Sequence, residues 1–193
     1  MIAHQEYRQL LQRICACRNM GCPWNGIIYR SSRLKYAKRS TMLSGQGSLE
    51  NGGRWNAPGA FLAIYGSLTP ETALSEALEH TRYFGLKGHT AFPRGIVAIE
   101  VKVTNLLDLT SGIIRKHLLV SQERMLIADW RNEQDEGKEA LPQTLGRAAY
   151  RVGFEAMLIP SKADLSGTNL VVFPENLKSN SSVTCLNETD LPD

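Results

Sequence analysis

The stretch from Gly52 to His80, GGRWNAPGAFLAIYGSLTPETALSEALEH, predicts a glycine-rich turn, a short strand and a helix in succession. The apolar run from Phe61 to Tyr65 is typical of a buried strand. Thr69-Pro70-Glu71 has the composition of a helix N-terminus, with a capping hydroxyl, proline at the first position and an acid in the first turn. A helix is therefore expected from Pro70 to about Tyr83.

Three polar side chains of this stretch lie close to the ends of different elements. Arg54 follows the double glycine, Tyr65 ends the strand, and Glu76 lies on the flank of the apolar face of the helix. Binding residues are often presented in this way. Ordinary structural roles fit equally well: Arg54 as a turn arginine paired to a loop carbonyl, Tyr65 as a core aromatic, and Glu76 as a solvated surface glutamate.

The composition is that of a globular protein. The chain has 193 residues, of which 42% are hydrophobic and 21% charged, so one domain with a sizeable core is expected. No apolar run approaches the ~20 residues that span a bilayer, and the N-terminus has no apolar signal segment. A cytoplasmic location without membrane association is the default expectation.

Positive charge is concentrated near the N-terminus. Residues 1–60 contain nine Lys or Arg and two Glu, a net charge of +7, whereas the whole chain carries +3. This pattern fits a solvated basic face, or a pocket for a phosphate-bearing partner. A non-catalytic nucleic-acid-binding module using residues 30–39 is a further alternative, but Tyr29 and Tyr36 would give it only a thin stacking platform.

Several chemistries find no support in the sequence. The four cysteines, Cys15, Cys17, Cys22 and Cys185, are expected to be reduced thiols, and no histidine completes a tetrahedral metal site. There is no P-loop and no nucleophile elbow. No metal and no permanently bound cofactor are therefore expected.

Short strands alternate unevenly with helices, which favours an α+β fold over a doubly wound parallel sheet. One domain is expected over residues 1–177, with an N-terminal helical segment in 1–20 and a polar, flexible tail over 178–193. The other predicted strands span 26–30, 96–103, 154–160 and 169–173, and the last two are expected to form a hairpin. Helices are expected within 112–131 and over 141–152, and long loops over 31–51 and 131–139.

Four motifs give the chain a resemblance to the RES-domain family, which is named for its Arg, Glu and Ser. Their order and approximate spacing agree with that family over about residues 26–177. The motifs are Tyr29-Arg30, GGRWNxPG at 52–59, Tyr65 followed by ETALSE at 71–76, and IPS at 159–161 leading to NLVVFP at 169–174.

The resemblance implies an ADP-ribosyltransferase-like fold, with a split mixed or antiparallel β-sheet core and flanking helices, and it implies NAD+ as the substrate. Family members are typically toxins of toxin–antitoxin pairs, with an Xre-like antitoxin as partner. Some consume NAD+ with water or inorganic phosphate as acceptor, and some modify a protein. Nucleic acid would be met only through the antitoxin, and homo-oligomers are possible.

The resemblance also assigns expected roles to residues. Glu76 would stabilise the positive charge that develops on the ribose, and Arg30 and Arg54 would hold the diphosphate. Tyr65 would pack against nicotinamide or ribose. Ser161, the family serine, would hydrogen-bond the ribose or the amide of NAD+. It is not expected to be a nucleophile, because no base is placed beside it by the sequence. The structural alternative for Ser161 is a serine that caps a turn. Tyr29, Asn56 and Asn169 are further candidates for contact with NAD+.

Overall fold

A computed structural model describes residues 1–34 and 37–186, and within these ranges it describes every side chain except those of Arg39, Ser40 and His80. The helices are α1 (Tyr7–Ala16), α2 (Arg39–Met42), α3 (Gln46–Asn51), α4 (Pro70–Tyr83), α5 (Gly112–Leu118), α6 (Gln122–Ile127), α7 (Trp130–Asp135) and α8 (Leu141–Val152). The strands are β1 (Cys22–Arg33), β2 (Ile64–Ser67), β3 (Arg94–Asp108), β4 (Ala156–Pro160), β5 (Thr168–Val172) and β6 (Ser182–Cys185).

The strands form one mixed sheet in the order β1-β2-β5-β4-β3-β6, and β1 also pairs with β3. That extra pairing joins β1, β2, β5, β4 and β3 into a closed circuit, with β6 added along β3. Among the described strands, β3 and β4 run parallel over Leu106 to Asp108, and the other pairs are antiparallel. The predicted α+β class and the 154–173 hairpin are confirmed.

Side chains of the central hairpin alternate between two hydrophobic cores, as the period of a strand requires. Met157 and Val171 belong to the core shared with α1, α5 and α8. Leu170 and Val172 belong to the core shared with β1 and β3. Burial of both faces explains why these strands are almost continuously apolar.

Helix α8 packs unusually close to the loop that follows Gly52. A Cβ on Gly146 would lie only 1.8 Å from the carbonyl oxygen of Trp55. Gln143 of the same helix donates from Nε2 to Gly53 O at 3.1 Å. The glycine and the glutamine together hold the loop that carries Arg54 against α8.

Several predicted boundaries are wrong. Strand β1 begins at Cys22 because a register shift between Cys22 and Trp24 accommodates Pro23. Residues 31–33 extend this strand through backbone pairing with β3, and α2 and α3 follow within the predicted loop. Phe61 is a core residue outside strand β2, which starts only at Ile64.

Two further corrections concern the second half of the chain. The predicted loop over 131–139 contains α7, whose first turn is capped because the Asp129 carboxylate accepts from Asn132 N at 3.3 Å. The apolar pattern of the helical segment within 112–131 predicts Trp130 and Leu119 in the core, but Trp130 is half-buried and Leu119 is 63% exposed. The predicted loose tail contains β6, because a polar segment can still pair its backbone with the edge of β3. Residues 187–193 lie outside the described part.

Candidate active site

The Glu76 carboxylate is held by two hydrogen bonds on one of its oxygens. Ser161 Oγ donates to Oε1 at 2.6 Å, and Asn169 Nδ2 donates to the same oxygen at 2.7 Å. None of the described residues hydrogen-bonds the second oxygen, Oε2. The carboxylate therefore has a fixed orientation with one oxygen still able to accept.

The residues that hold Glu76 are themselves fixed by a network between α4 and the β4–β5 hairpin. Ser67 Oγ donates to Asn169 Oδ1 at 2.6 Å, which orients the amide, and these two residues pair directly across β2 and β5. Ser161 Oγ accepts from Asp164 N at 3.0 Å, and Asp164 accepts from Thr72 Oγ1 of α4 at 2.6 Å. The Ser161 hydroxyl therefore caps the turn, as the structural alternative expects, and it also holds Glu76; its contact with the ribose or the amide stays a prediction.

Tyr65 joins strand β2 to the loop after Gly52. Its hydroxyl donates to Asn56 Oδ1 at 2.6 Å and accepts from Trp55 N at 3.1 Å. Burial raises the pKa of Tyr65 well above its ordinary value, so the phenol remains a proton donor at neutral pH. Asn56 is fully buried, and it holds the Tyr65 hydroxyl through this hydrogen bond.

Arg54 is anchored to the end of α6. Its Nη1 donates to the carbonyl oxygens of Ala128 at 3.1 Å, Met125 at 3.4 Å and Leu126 at 3.5 Å. The structural alternative of an arginine paired to loop carbonyls therefore holds, and the same side chain also lines the cleft described below. Burial lowers the pKa of Arg54, while the nearby Glu76 carboxylate opposes that shift.

Arg30 carries an unsatisfied buried nitrogen. Its Nη1 is inaccessible to solvent and has no hydrogen-bond partner among the described residues. Burial lowers the pKa of Arg30, with the Tyr65 phenol as an opposing influence. A buried guanidinium nitrogen without a partner is unfavourable in isolation and would be satisfied by an anionic ligand.

Two adjoining cavities meet at Tyr65, Glu76 and Asn169, and together they are called the cleft. The smaller lobe, of about 200 Å³, also contacts Tyr29 and Arg30. The larger lobe has a volume of about 310 Å³. It is further lined by Arg54, Glu79, Trp130, Arg131 and Lys162.

Of the predicted site residues, Tyr29, Arg30, Arg54, Tyr65, Glu76 and Asn169 line the cleft. Ser161 lies beneath it, only 1% exposed and in contact with Glu76, and Asn56 lies behind Tyr65. Of the basic segment 30–39, which the nucleic-acid-binding alternative would use, Arg30 lines the cleft. Lys35 and Tyr36 of that segment lie outside the described residues.

Sequence reasoning did not identify Ser67, Glu79, Trp130, Arg131 and Lys162. Glu79 and Lys162 stand three and one positions from Glu76 and Ser161, a spacing that could have drawn attention to them. Trp130 and Arg131 had no such signal, because Trp130 was expected in the core and residues 131–139 were expected to form a loop.

Across the described ranges, no group of three His, Cys, Asp or Glu side chains is arranged to hold a metal ion. Within those ranges, too, none of the helices has the length and apolar character needed to cross a bilayer. The cleft itself presents an oriented carboxylate flanked by cations. Such an arrangement can stabilise positive charge on a reacting carbon while it binds an anionic portion of the same molecule.

Comparison with known proteins relates the chain to others by fold and by family. The chain is similar to a protein in the crystal structure of the M. tuberculosis MbcT–MbcA toxin–antitoxin complex, with a TM-score of 0.70 and 24% identity over 91% of this chain and 88% of that one. At this identity the likeness concerns the fold. No curated protein matches significantly. The RES domain profile matches residues 27–192, a span that contains every cleft residue, and the chain therefore belongs to the RES-domain family.

Proposed function

We propose that this protein is a toxin-like enzyme that cleaves the N-glycosidic bond of NAD+, releases nicotinamide and depletes the cellular dinucleotide. The observation that carries the proposal is the position of Glu76. Its carboxylate lies where the two lobes of the cleft meet, with Oε1 held by Ser161 and Asn169. A ribose bound at this junction would place its reacting carbon beside a fixed negative charge.

The reaction follows from the chemistry of NAD+. The bond between the ribose carbon and the pyridinium nitrogen breaks, and its electron pair neutralises the ring, so nicotinamide leaves uncharged. The ribose becomes an oxocarbenium-like cation, which the Glu76 carboxylate stabilises. Water then forms the new C–O bond and releases a proton, giving ADP-ribose, and inorganic phosphate in its place would give ADP-ribose phosphate.

Ser161 acts in this proposal as a positioning residue. Its hydroxyl donates its hydrogen to Glu76 and accepts from Asp164 N, and its side chain is almost fully buried. A hydroxyl committed in this way is not placed to attack the ribose. Its contribution is to hold Oε1, so that Oε2 is presented to the substrate.

Cations in both lobes support a substrate that carries phosphate. Arg30, which has a buried nitrogen without a hydrogen-bond partner among the described residues, lines the smaller lobe, and Arg54 lines the larger lobe. Tyr65 lines both lobes. An NAD+ molecule lying across the junction could use both cations for its diphosphate and the ring for nicotinamide or ribose.

The test measures nicotinamide release from NAD+ by the purified protein, with and without inorganic phosphate. Glu76→Gln keeps the size of the side chain and removes its charge, so we expect a loss of about 10²–10³-fold in kcat. Glu71→Gln, on the exposed first turn of the same helix, is the matched control and should retain activity. Unchanged turnover by Glu76→Gln would contradict the role given to this carboxylate.

The same assay separates the possible acceptors. Free ADP-ribose indicates hydrolysis, and phosphate-dependent formation of ADP-ribose phosphate indicates phosphorolysis. NAD+ labelled in its adenylate portion would instead leave its label on a macromolecule if the enzyme modifies a protein. Turnover of NAD+ in the absence of any protein acceptor, with no label transferred in cell extract, would exclude that alternative.

An antitoxin protein, of the Xre-like type expected for the family, is the proposed partner. The solved relative is a component of a toxin–antitoxin complex. Inhibition would be simplest if the antitoxin occupied the cleft near Arg54 and Glu76. A cognate antitoxin that bound this chain without lowering nicotinamide release would contradict this mode of inhibition.

A further inference from the structure

Arg131 occupies the wall of the larger lobe in an unusual setting. Its guanidinium carbon lies 4.5 Å from the centroid of the Trp130 ring and 4.8 Å from that of Tyr83. Two aromatic rings thus hold the guanidinium by cation–π contacts, which engage its faces and leave the N–H edges available. Among the described residues, no carboxylate lies within ion-pair distance of it.

Asp129 holds the Tyr83 ring that contacts Arg131. The Tyr83 hydroxyl donates to Asp129 Oδ1 at 3.0 Å, and the same oxygen accepts from Asn132 N. The C-terminal end of α4 is thereby joined to the first turn of α7. Since Glu76 and Tyr83 belong to one helix, the position of Arg131 is tied to that of Glu76.

The loop that carries Arg54 provides a second support for this region. Arg54 Nη1 donates to carbonyls at the end of α6, and Gln134 Nε2 of α7 donates to Asn51 O at 3.2 Å. One nitrogen of the Arg54 guanidinium is therefore committed to the protein. Arg131 has no comparable commitment among the described residues.

The charges of the larger lobe favour an anion there. Three cations, Arg54, Arg131 and Lys162, line this lobe against two carboxylates, Glu76 and Glu79. Lys162 is exposed, so its charge is well hydrated, whereas Arg131 is half-buried. A partly desolvated cation with free N–H edges is the stronger site for a phosphate group.

We propose that Arg131 is a substrate-binding residue that contacts the diphosphate of the dinucleotide, with Arg54 positioning the segment that presents it. This inference rests on the proposed function. It adds to Arg30 and Arg54 a third diphosphate contact, from a residue outside the four motifs of the sequence. Binding energy from this contact would be made equally in the ground state and the transition state, so it should affect KM more than kcat.

The experiment compares Arg131→Gln with wild type in three measurements: ADP-ribose affinity by calorimetry, inhibition by nicotinamide, and kcat and KM for NAD+. We expect Arg131→Gln to weaken ADP-ribose binding by about 10- to 100-fold and to raise KM similarly. Nicotinamide lacks phosphate, so its inhibition constant should change by less than about twofold. Arg131→Lys keeps the charge and should recover part of the affinity.

Arg124→Gln is the matched control, because Arg124 lies on neighbouring α6 and pairs with Glu6 at 2.6 Å away from the cleft. It should bind ADP-ribose as wild type does. Wild-type affinity for ADP-ribose in Arg131→Gln would overturn the inference. An equal loss of nicotinamide and ADP-ribose affinity would also overturn it, because that result indicates a general disturbance of the cleft.

The inference and the proposed function can fail separately. Wild-type protein that binds ADP-ribose but releases no nicotinamide would contradict the catalytic proposal, while the comparison of Arg131 variants would still decide the binding role. Wild type and Arg131→Gln that release nicotinamide with equal kcat and KM would overturn the inference and leave the proposed function standing.

Discussion

Removal of the Tyr65 hydroxyl should destabilise the protein far more than removal of a similar hydroxyl elsewhere. In Tyr65→Phe the ring remains, so no cavity forms, but two buried groups lose their partner. Asn56 Oδ1 loses the donor at 2.6 Å, and Trp55 N loses the acceptor at 3.1 Å. Asn56 is 0% and Trp55 2% exposed, so water does not readily replace the hydroxyl.

The expected cost is the desolvation penalty of two unsatisfied groups. At about 1–3 kcal/mol for each, the free energy of unfolding should fall by about 2–6 kcal/mol. For a chain of this size the melting temperature should fall by roughly 5–15 °C. Urea unfolding at pH 7, followed by circular dichroism, measures the change while the phenol is fully protonated, because burial raises the pKa of Tyr65.

Tyr150→Phe is the matched control. Tyr150 also stacks in the core, 4.5 Å from the Phe61 ring, but its hydroxyl donates to the exposed Glu175 carboxylate at 3.2 Å. Water can replace that bond, so the change should stay within about 0.5 kcal/mol. Equal stability of the two variants would refute the reasoning that the Tyr65 hydroxyl organises the loop after Gly52.

Two further predictions concern packing and acid stability. Gly146→Ala should destabilise the protein by about 1–3 kcal/mol and impair NAD+ turnover, because the added Cβ would lie 1.8 Å from Trp55 O. Gly112→Ala is the control, because the nearest atom to its added Cβ is 3.9 Å away. It should be neutral or stabilising in the same urea titration. For Glu155, burial alone would raise the pKa, but hydrogen bonds from Ser181 and Thr104 outweigh it and lower the pKa. Its contribution to stability is therefore present above the unfolded pKa of about 4.3 and is lost as the pH falls through the lower folded value. Glu155→Gln should reduce the acid dependence of unfolding below about pH 4, and parallel acid profiles for wild type and Glu155→Gln would contradict this.

The parts of the fold that the sequence predicted well are governed by local signals. Helix α4 begins at Pro70 and ends at Tyr83 as expected, and α8 runs from Leu141 to Val152 with Gly153 in the left-handed conformation after it. The β4–β5 hairpin was visible as two apolar runs separated by turn residues. In each case the residues that define the element lie within it or directly beside it in the sequence.

The parts that could not be predicted depend on distant partners. Strand β6 exists because β3 offers an edge about 80 residues earlier in the chain. Arg54 finds its acceptors at Met125, Leu126 and Ala128, which no local pattern connects with a glycine-rich turn. Trp130 and Arg131 became cleft residues for the same reason, since their place depends on where α7 meets α4.

The geometry around Glu76 is set by the same register that builds the two cores. Asn169 lies opposite Ser67, and along β5 the side chains of Leu170 and Val171 enter opposite cores. A slip of one residue would bring Leu170 opposite Ser67 and exchange the faces of every residue in the strand. Asn169 could then no longer donate to Glu76 or accept from Ser67. Core packing therefore selects the one register in which the amide meets the carboxylate, and a substitution that loosens β5 should weaken the site even when it contacts no ligand.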